Sequence, residues 1–114
     1  MKLTVLMIVL SGAALAKGPA LCKQASPGMD ARAKLTCGNA QNRALARVPG
    51  ARVQSRELEE ENGKLVYSFD LRVKGKPGVE EVQVDAVTGS IVSVQHESPA
   101  SEASEKRSEQ TQPK

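Results

Sequence analysis

Apolar residues recur along this chain with two different periods. Cys37, Ala40, Ala44, Leu45 and Val48 stand at i, i+3, i+7, i+8 and i+11, one stripe of an amphipathic helix. Thr36 just before the stripe predicts its cap, since a threonine hydroxyl there can accept an orphan amide of the first turn. Pro49-Gly50 ends the helix, because the residue before a proline is pushed out of the helical region. Beyond that point the period becomes two. Arg52 to Glu60 is predicted as a charged strand anchored by Val53 and Leu58, whose odd spacing asks for a bulge between them. Leu65, Tyr67, Phe69, Leu71 and Val73 alternate with Val66, Ser68, Asp70 and Arg72, the clearest strand in the chain, and the first set is the expected core face. A loop, Lys74-Gly75-Lys76-Pro77-Gly78, leads to a strand through Val82 and Val84, and Ile91 to Val94 forms the last apolar run.

Two turns complete the pattern. Asn62-Gly63 is a hairpin signal, because both central residues of a type I′ turn need positive φ. Asp85-Ala86-Val87-Thr88-Gly89 joins two runs too close together for anything but a tight turn. An aspartate at its start can accept amides of the turning backbone, and Gly89 can supply positive φ at its end. A catalytic Asp85 would need a second carboxylate, a histidine base or a metal partner, and a calcium loop would need several oxygen ligands at alternate positions. The stretch offers neither, so Asn62, Gly63, Asp85 and Gly89 are read as structural. The elements together predict an α+β fold, one N-terminal helix packed on a four-stranded antiparallel meander sheet.

The ends of the 114-residue chain are of another kind. Lys2 followed by the apolar run Leu3–Ala16, closing on Ala14-Leu15-Ala16, reads as a secretory signal peptide with cleavage after Ala16. The run falls short of the roughly 20 apolar residues that span a bilayer. Leu21 before Cys22 stands where a lipid-attachment signal needs a small residue, so no stable membrane anchor is expected. Residues 17–32, with Gly18, Pro19, Pro27 and Gly28, read as a linker or loosely docked arm, 33–97 as the folded domain, and 98–114 as a polar, disordered tail. Export to the periplasm or the medium changes how the cysteines read. In an oxidising compartment Cys22 and Cys37 favour an intramolecular disulfide over free thiols or a bond between chains. Two cysteines and His96 do not make a zinc set, and no cofactor is expected.

Charge is unevenly spread. Residues 17–56 carry a net +7 and residues 57–97 a net −5, within a formal +3 for the whole chain. No aromatic residue interleaves with the basic part, so nucleic acid is not an expected partner. A dipolar domain can present both signs to a partner, or carry them as ordinary solvated faces.

The order Ala44-Leu45-Ala46, Val48-Pro49-Gly50, Leu58, Asn62-Gly63-Lys64-Leu65-Val66-Tyr67 and Val82 to Gly89 resembles the PepSY domain, over about Ala33 to Glu97. The piece Val-Asp-Ala-Val-Thr-Gly is similar to the ending typical of that family. The resemblance implies a domain found in propeptides of thermolysin-like metallopeptidases and in many small secreted or membrane-attached bacterial proteins, where it is thought to inhibit or regulate peptidases. It brings no catalytic residues, so the chain is expected not to be an enzyme. Two functions follow as expectations. The first is an exported binding module that restrains an envelope or secreted peptidase, or another protein, through an edge strand or hairpin tip; its candidate residues are Arg52, Arg56, Glu57, Glu59, Lys74 and Lys76. The second is a small-ligand or cation-binding envelope protein using Glu57, Glu59, Glu60, Glu61, Glu80 and Glu81.

Overall fold

The computed structural model describes residues 22–101 and Ser104. The predicted leader, 1–16, and most of the tail lie outside them; at the start of the tail, residues 99–101 and Ser104 have helical backbone. Strand β1 is Lys23–Gln24, followed by a 3₁₀ turn at Met29–Arg32 and the helix α1, Cys37–Arg47. Strands β2 (Ala51–Glu61), β3 (Lys64–Val73), β4 (Val79–Asp85) and β5 (Ile91–Glu97) complete the order. No helix among the described residues is long and apolar enough to cross a membrane.

The sheet runs β1-β2-β3-β4-β5. Strands β2 to β5 form the expected antiparallel meander. The expectation of a four-stranded antiparallel sheet is corrected by β1, which pairs parallel to β2 through Lys23 with Glu57 and Gln24 with Leu58. The sheet is therefore five-stranded and mixed, and the helix follows a strand instead of opening the fold. The arm is likewise no loose linker from Cys22 onward. The Ala25 amide donates to the Leu58 carbonyl at 2.9 Å, Met29 is 5% exposed, and a Cys22–Cys37 disulfide ties the arm to the first residue of the helix. A two-residue strand carries no period, so only the burial of its flanking side chains marks it.

Local chemistry shapes the rest. The Thr36 hydroxyl accepts the Asn39 amide at 3.1 Å, and α1 buries Cys37, Ala40 and Ala44 while Leu45 and Val48 pack partly against the core. Asn62 and Gly63 take φ of 51° and 77°, the pair of positive values a type I′ hairpin requires. In β2 the register shifts between Val53 and Ser55, placing the expected bulge at Gln54. The core lies between helix and sheet: Leu58, Leu65, Tyr67, Phe69, Leu71, Val82, Val84 and Ala86 face Ala40, Ala44, Met29 and the disulfide. Alternation sends the other half of each strand to the opposite face of the sheet, which no element covers among the described residues.

Candidate functional site

The turn at Asp85 shows what that residue does. One carboxylate oxygen accepts the amides of Val87 at 2.8 Å and Thr88 at 2.9 Å. The Asp85 amide donates to the Ser90 carbonyl, and the Gly89 amide donates to the Asp85 carbonyl, each at 2.8 Å. Gly89 has a φ of 78°, and a Cβ there would meet the Arg43 guanidinium at 2.7 Å. The two backbone amides hold the Asp85 carboxyl below its ordinary pKa. Its contribution to stability is therefore whole above the ordinary carboxylate range and is lost as pH falls through the lowered folded-state value. Replacing Asp85 with alanine should cost about 1 kcal/mol at neutral pH, the usual loss for a side chain that caps free amides. Urea denaturation should show the gap from the native chain closing in acid; a gap that persists there would mean that the carboxylate contributes nothing.

The uncovered face of the sheet gathers the acidic residues. Glu57, Glu59 and Glu61 of β2, Asp70 of β3 and Glu81 of β4 line a groove of about 370 Å³ with Ser55 and Ser68. Register explains the gathering: Ser55 stands opposite Asp70, Glu57 opposite Ser68, and Asp70 opposite Glu81. The same alternation divides the expected set of six glutamates. Glu60 turns to the helix side and pairs with Arg32 at 2.5 Å, and Glu80 meets the His96 ring at 2.7 Å. Among the described residues no group of three or more histidine, cysteine or carboxylate side chains is arranged to hold a metal.

A row of hydrogen bonds crosses this face. Ser93 Oγ donates to Gln83 Oε1 at 3.1 Å, Gln83 Nε2 donates to Ser68 Oγ at 3.3 Å, and the Ser68 hydroxyl donates to Glu59 Oε1. Below Glu59 in the register stands Val66, fully buried although it lies on the uncovered side. Burial raises the pKa of Glu59; the Ser68 hydrogen bond opposes that, and the charges of Glu57, Glu61 and Asp70 add to the rise. A carboxyl raised in this way weakens the fold above its folded-state pKa and less so below it. Glu59→Gln keeps the acceptor for Ser68 and removes the charge. It should raise stability at neutral pH by about 0.5 kcal/mol, since half-exposed charges act weakly. Thermal melts at neutral pH and in acid should show the gain shrinking in acid, and a lower melting temperature for the variant at neutral pH would count against this account.

The end of the sheet that carries the β3–β4 loop has the opposite sign. Arg52, Arg72, Lys74 and Lys76, with Gly50, Val73 and Gly75, line a cleft of about 470 Å³. Arg72 is held there by bonds from Nε to Gln54 Oε1 and from Nη1 to the Gly78 carbonyl, the latter 2.9 Å long. The candidate binding residues thus fall into three places. Arg52, Lys74 and Lys76 meet at the basic end, and Glu57 and Glu59 share the acidic groove. Arg56 stands apart on the helix side, where its Nη1 donates to Gln41 Oε1 at 2.8 Å. The expected edge strand is also corrected in part, because β1 covers β2 at Glu57 and Leu58. Asp70 and Arg72 were not among the candidates, although the alternation of β3 already put both on the face away from Phe69.

A third hollow, about 220 Å³, lies beside the disulfide and is lined by Cys22, Gln24, Asp30, Leu35, Leu58 and Tyr67 among others. The Tyr67 hydroxyl donates to the Leu35 carbonyl at 2.7 Å. Burial, then the charge of Asp30, raises its pKa. The tyrosine is tied up in joining sheet to arm.

Residues 38–95 match a family model described as "Peptidase propeptide and YPEB domain". No curated protein and no solved structure matches the chain.

Proposed function

This chain belongs to the PepSY family, and we propose that it is an exported, non-enzymatic binding module that restrains a peptidase or another protein of the cell envelope. The observation that carries this reading is the uncovered sheet face, acidic along Glu57, Glu59, Glu61, Asp70 and Glu81 and bordered by a basic end. With the helix on one side only, this face and its basic border are broad surfaces that a partner can reach without unfolding anything. Charges of both signs set side by side fix the orientation of an oppositely patterned partner and speed its encounter. Restraint would be steric, the rigid sheet lying beside or across the partner's cleft. The leader-like first residues and the disulfide support an oxidising compartment outside the cytoplasm. In this reading Arg52, Lys74, Lys76, Glu57 and Glu59 contact the partner, and Arg56 supports the helix.

Capture from envelope and secreted fractions tests the reading, with Lys17–Lys114 as bait. A second bait carries Glu57→Lys and Glu59→Lys, and a third carries Arg52→Glu, Lys74→Glu and Lys76→Glu. The expected result is a peptidase retained by the native bait, weakened several-fold in at least one variant and by added salt, and slowed in peptide cleavage when the purified chain is added. Capture of nothing above background, or equal capture by all three baits, overturns it.

A further inference from the structure

The two edges of the sheet are built differently. On the β2 side, β1 pairs with Glu57 and Leu58, and Arg52 and Arg56 add charge. Such devices keep an edge from pairing with another chain. On the other side β5 is the last strand of the sheet among the described residues. Ile91–Glu97 contains no lysine, arginine or proline. Its one irregularity falls at Val92, between the pairs Val84 with Ile91 and Gln83 with Ser93, so Ser93 to Glu97 stay in unbroken register with β4. The exposed large hydrophobic side chains of the described residues are Val87, Ile91 and Val92, at 47%, 36% and 42%, all at the start of this edge.

We propose that β5 pairs antiparallel with β5 of a second copy about a two-fold axis at Val94, joining two sheets into one of ten strands. The charges of the edge point to a second copy as the occupant. In this register Val94 faces Val94 of the second copy and Ser93 faces Gln95, and the irregular pair Ile91-Val92 lies opposite His96 and Glu97. No like charges stand opposite, and each ionisable side chain meets an aliphatic one. The two Glu97 residues are about 20 Å apart at the usual rise of a strand, beyond the screening length of physiological salt. A strongly charged extended peptide would find no counter-charge along Val92 to Gln95, whereas a neutral strand fits there. The axis stands perpendicular to the sheet and keeps both helices on one side. The acidic grooves lie on the other, separated by Ser93 and Gln95 of each copy. The basic ends and acidic grooves stay open, so pairing does not depend on the partner binding proposed above. Pairing by one short strand buries less than a standard interface, so the association is weak.

Sedimentation equilibrium of Lys17–Lys114 from micromolar to millimolar concentration tests it, beside concentration-dependent amide exchange. A monomer–dimer equilibrium is expected, with the amides of residues 92–97 slowing as the dimer fills. Val92→Lys and, separately, Gln95→Lys place a cation on the edge and should weaken the dimer at least tenfold, with the circular dichroism spectrum unchanged. Both side chains are exposed, and two variants guard against one that fails to fold. A monomer at millimolar concentration overturns the proposal, as does a dimer that both lysine variants leave intact or whose protected amides lie elsewhere.

Discussion

Phe69→Ala should leave this domain largely unfolded at physiological temperature. Phe69 is fully buried and is the largest such side chain among the described residues. It sits on the middle strand of the sheet, opposite Arg56 on β2 and Val82 on β4, with the Tyr67 ring 6.3 Å away. The helix above it contributes Ala40 and Ala44 to the same core. Neither alanine can extend into the space a phenyl ring leaves. Truncation of a buried phenylalanine costs about 3–5 kcal/mol when the site cannot collapse. Small domains have only about 5–15 kcal/mol in all, and a core this size stands near the lower end. Phe69→Leu retains most of the volume and should cost less than about 1.5 kcal/mol. Urea denaturation of both variants checks the claim. A loss below about 2 kcal/mol for alanine would mean that the helix settles onto the sheet and fills the hole.

Most of that core was open to reading because its helix and strand residues obey a period. Leu65, Tyr67, Phe69 and Leu71 recur at two, Cys37, Ala40 and Ala44 near 3.6, and all of them are buried. The turns at Asn62-Gly63 and Asp85–Gly89 were legible for another reason, since their backbone conformations demand particular residues. The parts that escaped have no local signature. Two residues of β1 show no period, and their partners Glu57 and Leu58 are more than thirty residues further along the chain. Arg56 is a different case: it was read as an exposed edge charge, although the bulge expected between Val53 and Leu58, found at Gln54, sets Arg56 on the same face as Leu58. A shift of one residue in register exchanges the two faces of a strand. Its bond to Gln41 follows from that shift and from the helix lying above. The acidic groove was half legible. Alternation separates Glu57, Glu59 and Glu61 from Glu60, but which carboxylates of β3 and β4 join them depends on hairpin register, fixed by the turns.

Removing the disulfide should have the second largest effect, and it should act in two separable ways. Cys22 and Cys37 are 15 residues apart, with Cα atoms 5.5 Å from one another. In the chain-entropy account, closing a loop of this size restricts the unfolded chain and stabilises the fold by about 3 kcal/mol. The double variant Cys22→Ser, Cys37→Ser should lose about that much in global urea denaturation. A second loss is local. Without the crosslink, the arm is held by the Met29 side chain, the Ala25 amide on the Leu58 carbonyl and the ion pair of Arg32 with Glu60. The last two are a single hydrogen bond and an exposed ion pair, each of modest net strength. The Ala25 amide should therefore exchange much faster in the variant, and the β2 edge at Glu57 and Leu58 should open while β3 and β4 remain protected. Met29→Ala with the disulfide intact separates the two effects, because it weakens the dock and leaves the loop closed. If the double variant loses stability but keeps the Ala25 amide protected, the arm docks by its own contacts and the crosslink acts on the unfolded chain alone. If the amide opens with little change in global stability, the disulfide is chiefly a fastener for the arm, and the covered β2 edge depends on it.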